Sequence, residues 1–232
     1  MDSNIEHCRA LGLPSIKGTG RTRLAIVGGG PSVKEYLQEL RDFDGDIWIA
    51  ASAYHWCRYN GIDGRFMAVG PEAIIAKLAV GAEKAILSSC VDPSVFEVLK
   101  DADVQVFDLV SDGPMMNHGP STVTAAFVQA IKADYREVTF YGCDSCYTAG
   151  GNSHAYEDSK HDYRIGVTVG ADEFYTEALL LLQAEYMAKM ISTAPHVFKE
   201  KSGGLLRALI GNPDYYIVSG TKELHEFIKQ AA

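Results

Sequence analysis

Three short segments of this chain set glycines, hydroxyls and titratable side chains where chemistry could use them. The first is Gly28-Gly29-Gly30-Pro31-Ser32, directly after the apolar run Leu24 to Val27. Glycines between a buried strand and a helix let the main chain approach an anion, and the first-turn N–H groups of that helix have no intrahelical acceptor. A phosphate could take those donors and would feel the positive helix end. Pro31 suits the first helical position, where no donor is wasted, and Ser32 adds a hydroxyl. The segment departs from two fingerprints. A dinucleotide G-x-G-x-x-G would need glycine where Val33 stands, and a Walker loop would need a Gly-Lys-Ser/Thr ending. A connection that merely turns the chain is the alternative.

The second segment is Asn117-His118-Gly119-Pro120-Ser121-Thr122, ahead of a helical pattern of Val123, Ala126, Phe127, Ala130 and Ile131. Gly119, Ser121 and Thr122 could form another anion-binding helix start, or Ser121 and Thr122 could simply cap the helix. Asp108 and Asp112 lie just upstream, where a strand's carboxyl end projects side chains into the crevice of an open α/β sheet; they hold Mg2+ or face water. The third region is Gly142-Cys143-Asp144-Ser145-Cys146-Tyr147, continued by Asn152-Ser153-His154-Ala155-Tyr156. Asp144 leaves a strand after a glycine and could accept a ribose or substrate hydrogen bond or bind a metal. His154 could transfer a proton or bind phosphate, unless it is an ordinary solvated loop histidine, and Tyr156 could stack or donate. Cys143 and Cys146 form a C-x-x-C with no second ligand pair at zinc spacing.

The elements that must position these groups follow one grammar. Strand-like Arg23 to Val27, Asp46 to Ala51, Arg65 to Val69, Ala85 to Ser88, Val104 to Val110 and Val138 to Tyr141 alternate with helical stretches, among them Ser52 to Asn60, Glu72 to Val80, Ser94 to Lys100 and Ser121 to Asp134. Short buried strands with intervening helices predict an α/β, Rossmann-like, mostly parallel sheet with helices on both faces. Ser52, immediately after the second strand, joins the nucleotide-binding candidates. A polar loop is expected over about 144–171, a long helix from Asp172 to Ile191, then a strand at His196 to Phe198, a helix at Leu205 to Ile210, a strand at Tyr215 to Val218 and a last helix from Lys222. Residues 1–22 read as an irregular arm and residues 23–232 as a single nucleotide-binding domain.

Composition narrows the function classes. The 232 residues carry 21 Lys and Arg against 30 Asp and Glu, a formal charge of -9, which disfavours non-specific nucleic acid binding while leaving small anions as ligands. No apolar run reaches the roughly 18 to 20 residues of a membrane helix, and the first ten residues lack a basic region followed by an apolar stretch. A cytoplasmic protein with no membrane partner is expected, and its five cysteines, an odd and scattered number, are expected to be reduced.

Taken in order, Gly28-Gly29-Gly30-Pro31-Ser32, Gly119-Pro120-Ser121-Thr122-Val123, Gly142-Cys143-Asp144-Ser145-Cys146-Tyr147 and His154-Ala155-Tyr156 resemble the MptE-like family, the 6-hydroxymethylpterin diphosphokinase-like group with many bacterial and phage members. The resemblance covers about residues 23–210. It implies a Rossmann-like fold and Mg2+-dependent transfer of diphosphate from ATP to a pterin-like or other small alcohol. Under it Gly28 to Ser32, Ser52, Gly119, Ser121, Thr122 and Tyr156 would hold the nucleotide, Asp112 and Asp144 would position Mg2+, and Asp144 and His154 would serve catalysis. Arg21, Arg23 and Lys160 are candidates for the missing Walker cation. After the third strand many relatives carry an acidic residue, whereas Val69 is followed here by Gly70-Pro71-Glu72.

The same order is more distantly similar to bacterial sialyltransferases that use a CMP-sugar. Gly29 stands where those enzymes have asparagine, and Val167, in Arg164-Ile165-Gly166-Val167-Thr168, stands where they have a general-base histidine; His154 or His161 could substitute. This resemblance implies a nucleotide-sugar-dependent glycosyltransferase with a small-molecule acceptor. A non-catalytic nucleotide-binding module is the third reading.

Overall fold

A computed structural model describes residues 2–109, 118–148, 151–156, 165–212 and 214–219. Its strands are β1 (Arg23–Val27), β2 (Asp46–Ala50), β3 (Arg65–Ala68), β4 (Lys84–Ser88), β5 (Asp103–Phe107), β6 (Glu137–Tyr141), β7 (Ile165–Val169), β8 (Asp172–Thr176), β9 (Phe198–Lys201) and β10 (Tyr215–Ser219). A seven-stranded sheet has the order β5-β4-β3-β2-β1-β6-β9, and a three-stranded sheet the order β10-β7-β8. The fold is thus α/β and Rossmann-like. By its internal contacts the chain divides into two compact units, Met1–Gly28 with Leu37–Thr139 and Gly29–Tyr36 with Phe140–Ala232.

In the first unit β1 to β5 pair in parallel, each strand beside its predecessor, with registers such as Ile26↔Trp48, Ile49↔Phe66, Met67↔Ile86 and Leu87↔Val106. These strands read as continuous apolar runs because helices cover them; β1 and β4 each bury four of five residues. Trp48, Phe66, Ile49 and Ile86 are fully buried, each contributing roughly 1.5–3 kcal/mol. The helices of this unit are α1 (Asp2–Ala10), α2 (Leu37–Arg41), α3 (Tyr54–Tyr59), α4 (Ile75–Leu78), α5 (Pro93–Val98) and α6 (Thr122–Lys132). Local chemistry sets where they begin. Asp92 caps α5 by accepting from Ser94 N at 2.9 Å, with Pro93 in the first turn.

The expected irregular arm is corrected at its start, where α1 forms and buries Ile5 and Cys8. Two apolar positions one turn apart give a short helix a face to bury, a signal too brief for periodicity to resolve. Asn4 Nδ2 donates to Cys90 O at 3.1 Å, and Arg9 pairs with Asp108 at 2.6 Å. Further along, Val106 N donates to Pro14 O at 2.9 Å and Ile16 N to Val106 O at 3.2 Å, so the arm lies parallel against β5.

In the second unit β7 pairs antiparallel with β8 and β10, with Val167↔Phe174 and Tyr216↔Thr168 in register. The expected loop over 144–171 therefore contains a strand. The expected helix from Asp172 starts later, as α7 (Ala178–Thr193). Phe174, Tyr175 and Thr176 favour a pleated surface, and their pairing with β7 overrides the helical pattern that follows them. α8 spans Gly204–Leu209. β9 runs past the expected His196 to Phe198, and the helix expected from Lys222 lies outside the described residues. Among the described residues no helix is long and apolar enough to cross a membrane.

Candidate functional site

The glycine turn after β1 opens a 3-10 helix, Pro31–Tyr36, in place of the expected α-helix. Val33 N donates to Gly30 O at 3.2 Å, the tight i to i+3 closure, and Pro31 supplies no donor that could widen it. Gly30 N donates to Gly142 O at 2.7 Å, and Ser32 N donates to Asp144 Oδ2 at 3.1 Å. The other Asp144 oxygen accepts from Gly203 N at 2.7 Å. One carboxylate, 5% exposed, thus clips two glycine turns together within this unit. Glycine is required at position 30 by proximity: a Cβ there would lie 2.7 Å from Gly142 O and 2.9 Å from Asp144 Cγ, with Oδ2 nearer still.

Sequence reasoning missed the second turn. Ser202-Gly203-Gly204 links β9 to α8, the same strand-glycine-helix grammar as Gly28 to Ser32, and that repetition was the available signal. Ser202 Oγ accepts from Cys143 N at 2.8 Å. Gly204 has φ +58, and a Cβ there would meet Asp144 O at 2.8 Å and Cys146 Sγ. Ser145, at φ 56, is a non-glycine residue in the left-handed region. Thr176 Oγ1 donates to its carbonyl at 2.8 Å and Gln183 Nε2 donates to its hydroxyl at 2.9 Å, so β8 and α7 stabilise the bend that aims Asp144.

His154 and Tyr156 close over Gly29. A Cβ on Gly29 would come 2.7 Å from His154 Cδ2 and 2.6 Å from the Tyr156 hydroxyl, and Ala155 N donates to Gly29 O at 2.8 Å. The two rings stand 5.2 Å apart, and Ser153 Oγ lies 3.0 Å from His154 Nδ1. Gly29, Gly30, Pro31, Ser32, Asp144, His154 and Tyr156 are therefore brought together in one unit. The nearby C-x-x-C is a packing feature. Cys143 and Cys146 are buried free thiols, and burial pushes Cys146 up to about 11, so it stays protonated at neutral pH.

Most of the other candidates belong to the first unit. Gly28 follows β1, and the exposed Ser52 sits in the 3-10 turn after β2. Ser121 caps α6 in a reciprocal box: Thr124 N donates to Ser121 Oγ at 3.4 Å and Ser121 N to Thr124 Oγ1 at 2.9 Å, with Gly119 and Thr122 flanking it. Arg21 and Arg23 are engaged at the surface with Asp44 and Glu137. The exposed Glu72 folds its carboxylate back over Gly70. Val167 is fully buried in β7. Asp112, Lys160 and His161 lie outside the described residues. Each Asp144 oxygen accepts one main-chain donor. No group of three or more metal-ligating side chains occurs among the described residues.

No protein-family model matches the chain, and no curated protein matches it. Among solved structures it is similar to the MAf glycosyltransferase from Magnetospirillum magneticum AMB-1, with a TM-score of 0.66 and 18% identity, over 87% of this chain and 36% of that one. The likeness is one of fold. This chain spans little more than a third of that protein's length. It accords with the more distant, glycosyltransferase-like resemblance, and no match supports the MptE-like family in particular.

Proposed function

We propose that this chain is a nucleotide-sugar-dependent glycosyltransferase domain. The observation that carries the reading is the likeness in fold to a solved glycosyltransferase over nearly all of the chain. The turns at Gly29 to Ser32 and Ser202 to Gly204, clipped by Asp144, form the floor of the donor site, and His154 and Tyr156 form its wall over Gly29. His154 accepts the proton of the acceptor hydroxyl as that oxygen bonds to the anomeric carbon. The bond from that carbon to the nucleotide's phosphate oxygen breaks, and the nucleotide leaves with the electron pair. Asp144 is a positioning residue in this scheme, fixing both turns through its main-chain bonds.

Thermal denaturation with CMP, a CMP-sugar, a UDP-sugar, and ATP with and without Mg2+ tests the reading. A ligand at a hundred times its dissociation constant stabilises the native state by about 2.7 kcal/mol, or roughly 5–10 °C for a chain of this size. A shift with a nucleotide sugar, independent of Mg2+, is expected. A shift with Mg-ATP alone would favour diphosphate transfer to a small alcohol, and binding without turnover would favour a nucleotide-binding module.

A further inference from the structure

Three main-chain donors of the second unit's glycine turns are already committed. Gly30 N–H is taken by Gly142 O, and the Ser32 and Gly203 N–H groups are taken by Asp144. With those three donors engaged, side-chain cations are the main further source of positive charge for an anion beside these turns. Two cations of this unit converge on Tyr36, which lies one turn beyond Ser32 in the 3-10 helix. Lys201 Nζ is 5.9 Å from the centroid of the Tyr36 ring, and Arg207 Nη2 donates to the Tyr36 hydroxyl at 3.4 Å. Arg207 Nε donates to Glu200 Oε2 at 3.2 Å. The guanidinium is therefore held along two edges, which orients its fork before a ligand arrives.

The burial of the pair is lopsided. The Glu200 side chain is 9% exposed and that of Arg207 55%, so the acid anchors and the cation faces water. Glu200 Oε1 is buried, and the Ser202 N–H is the carboxyl's main-chain neighbour. Burial pushes the Glu200 carboxyl up, Arg207 and the Ser202 N–H pull it down, and the Asp144 charge adds to the rise. A buried acid tolerates this environment while Arg207 stays beside it, so its place in the fold fixes where the guanidinium stands.

We infer that Arg207, positioned by Glu200 and Tyr36 and joined by Lys201, is an oxyanion-binding site for the charged group of the sugar nucleotide, either its phosphate or a carboxylate on the sugar. This assignment rests on the glycosyl-transfer reading above. Planar, forked recognition suits either oxyanion, and each charge-assisted bond is stronger than a neutral one.

Isothermal titration of the full chain with CMP, CMP-N-acetylneuraminate and UDP-glucose tests it. The variants are Arg207→Lys and the pair Arg207→Met with Glu200→Gln, the latter removing both charges so that no lone carboxylate stays buried. The double variant is expected to bind at least about tenfold more weakly, Arg207→Lys to fall between it and the parent, and both to keep the parent's unliganded melting temperature within about 3 °C. Tyr36→Phe and Glu200→Gln, which loosen the fork without removing it, should each weaken binding about threefold and leave melting unchanged. Loss of CMP affinity marks phosphate as the ligand group, whereas loss confined to CMP-N-acetylneuraminate marks the sugar carboxylate. Variants that bind like a binding-competent parent overturn the assignment of Arg207 and leave glycosyl transfer standing. A parent that binds none of the three probes overturns both.

Discussion

Adding one methyl group at Gly30 tests the geometry on which the site depends. In Gly30→Ala the new Cβ meets Gly142 O at 2.7 Å, Asp144 Cγ at 2.9 Å and Asp144 Oδ2 closer still, so the main chain or the carboxylate must move. The first of these atoms is backbone and accepts the 2.7 Å bond from Gly30 N, which leaves Asp144 as the partner that yields. Yielding means losing the 3.1 Å bond from Ser32 N, a charge-assisted contact of about 1.5–3 kcal/mol, with about 1 kcal/mol more for overpacking. A loss near 3 kcal/mol corresponds to roughly 6–12 °C in melting temperature for a chain of this length. Urea denaturation of the parent, Gly30→Ala, Asp144→Ala and the double variant makes the cycle complete. With the carboxylate gone much of the collision goes too, so the methyl should cost at least about 1 kcal/mol less in the Asp144→Ala background. A neutral Gly30→Ala, or strictly additive effects, would refute the claim that Asp144 presses on Gly30.

Three further outcomes follow from other parts of the molecule. Ser121→Ala removes the cap of α6 and should cost about 1 kcal/mol in urea denaturation, since Thr124 N then loses its acceptor. Glu185 on α7 has its carboxyl pushed up by burial alone, so the folded state holds its proton above the ordinary value of 4.5 and the charged form costs stability. Glu185→Gln should therefore melt higher than the parent at pH 8, and the gap should close as pH falls through the folded-state value toward 4.5; a gap that is constant with pH would contradict this. All five cysteines are buried and free, and burial pushes Cys57 up to about 12. A thiol reagent at pH 8 should label them slowly in the native protein and completely in denaturant, and rapid native labelling of Cys143 or Cys146 would reopen a redox role.

The alternation of short apolar runs with helical stretches was enough to read the parallel sheet, because β1 and β4 bury four of five residues and β2 and β3 three residues each, and their sequences say so directly. Antiparallel pairing left a weaker trace. β8 is only five residues, Asp-Glu-Phe-Tyr-Thr, and runs without a break into the apolar pattern of α7, so its extended form depends on β7 across the pair. Of the site, Gly29, Gly30 and Asp144 were legible from their places just beyond β1 and β6, and His154 and Tyr156 from the motif in the loop that follows. Their mutual use was not. A glycine that admits a phosphate and a glycine that admits a neighbouring carboxylate look identical in sequence, and only the position of Asp144 distinguishes them. Glu200, Ser202 and Arg207 escaped for a related reason: each is an ordinary surface residue type, and the burial that makes Glu200 notable is a property of tertiary packing.

The strip of chain from Pro14 to Ile16 that lies along β5 bears on behaviour in concentrated solution. Val106 both gives and receives a main-chain hydrogen bond with that strip, so the outermost strand of the first unit has no bare backbone at its midpoint. Any shortened version lacking this strip would offer Val106 as a template for a stranger's strand, the geometry through which sheets extend between molecules.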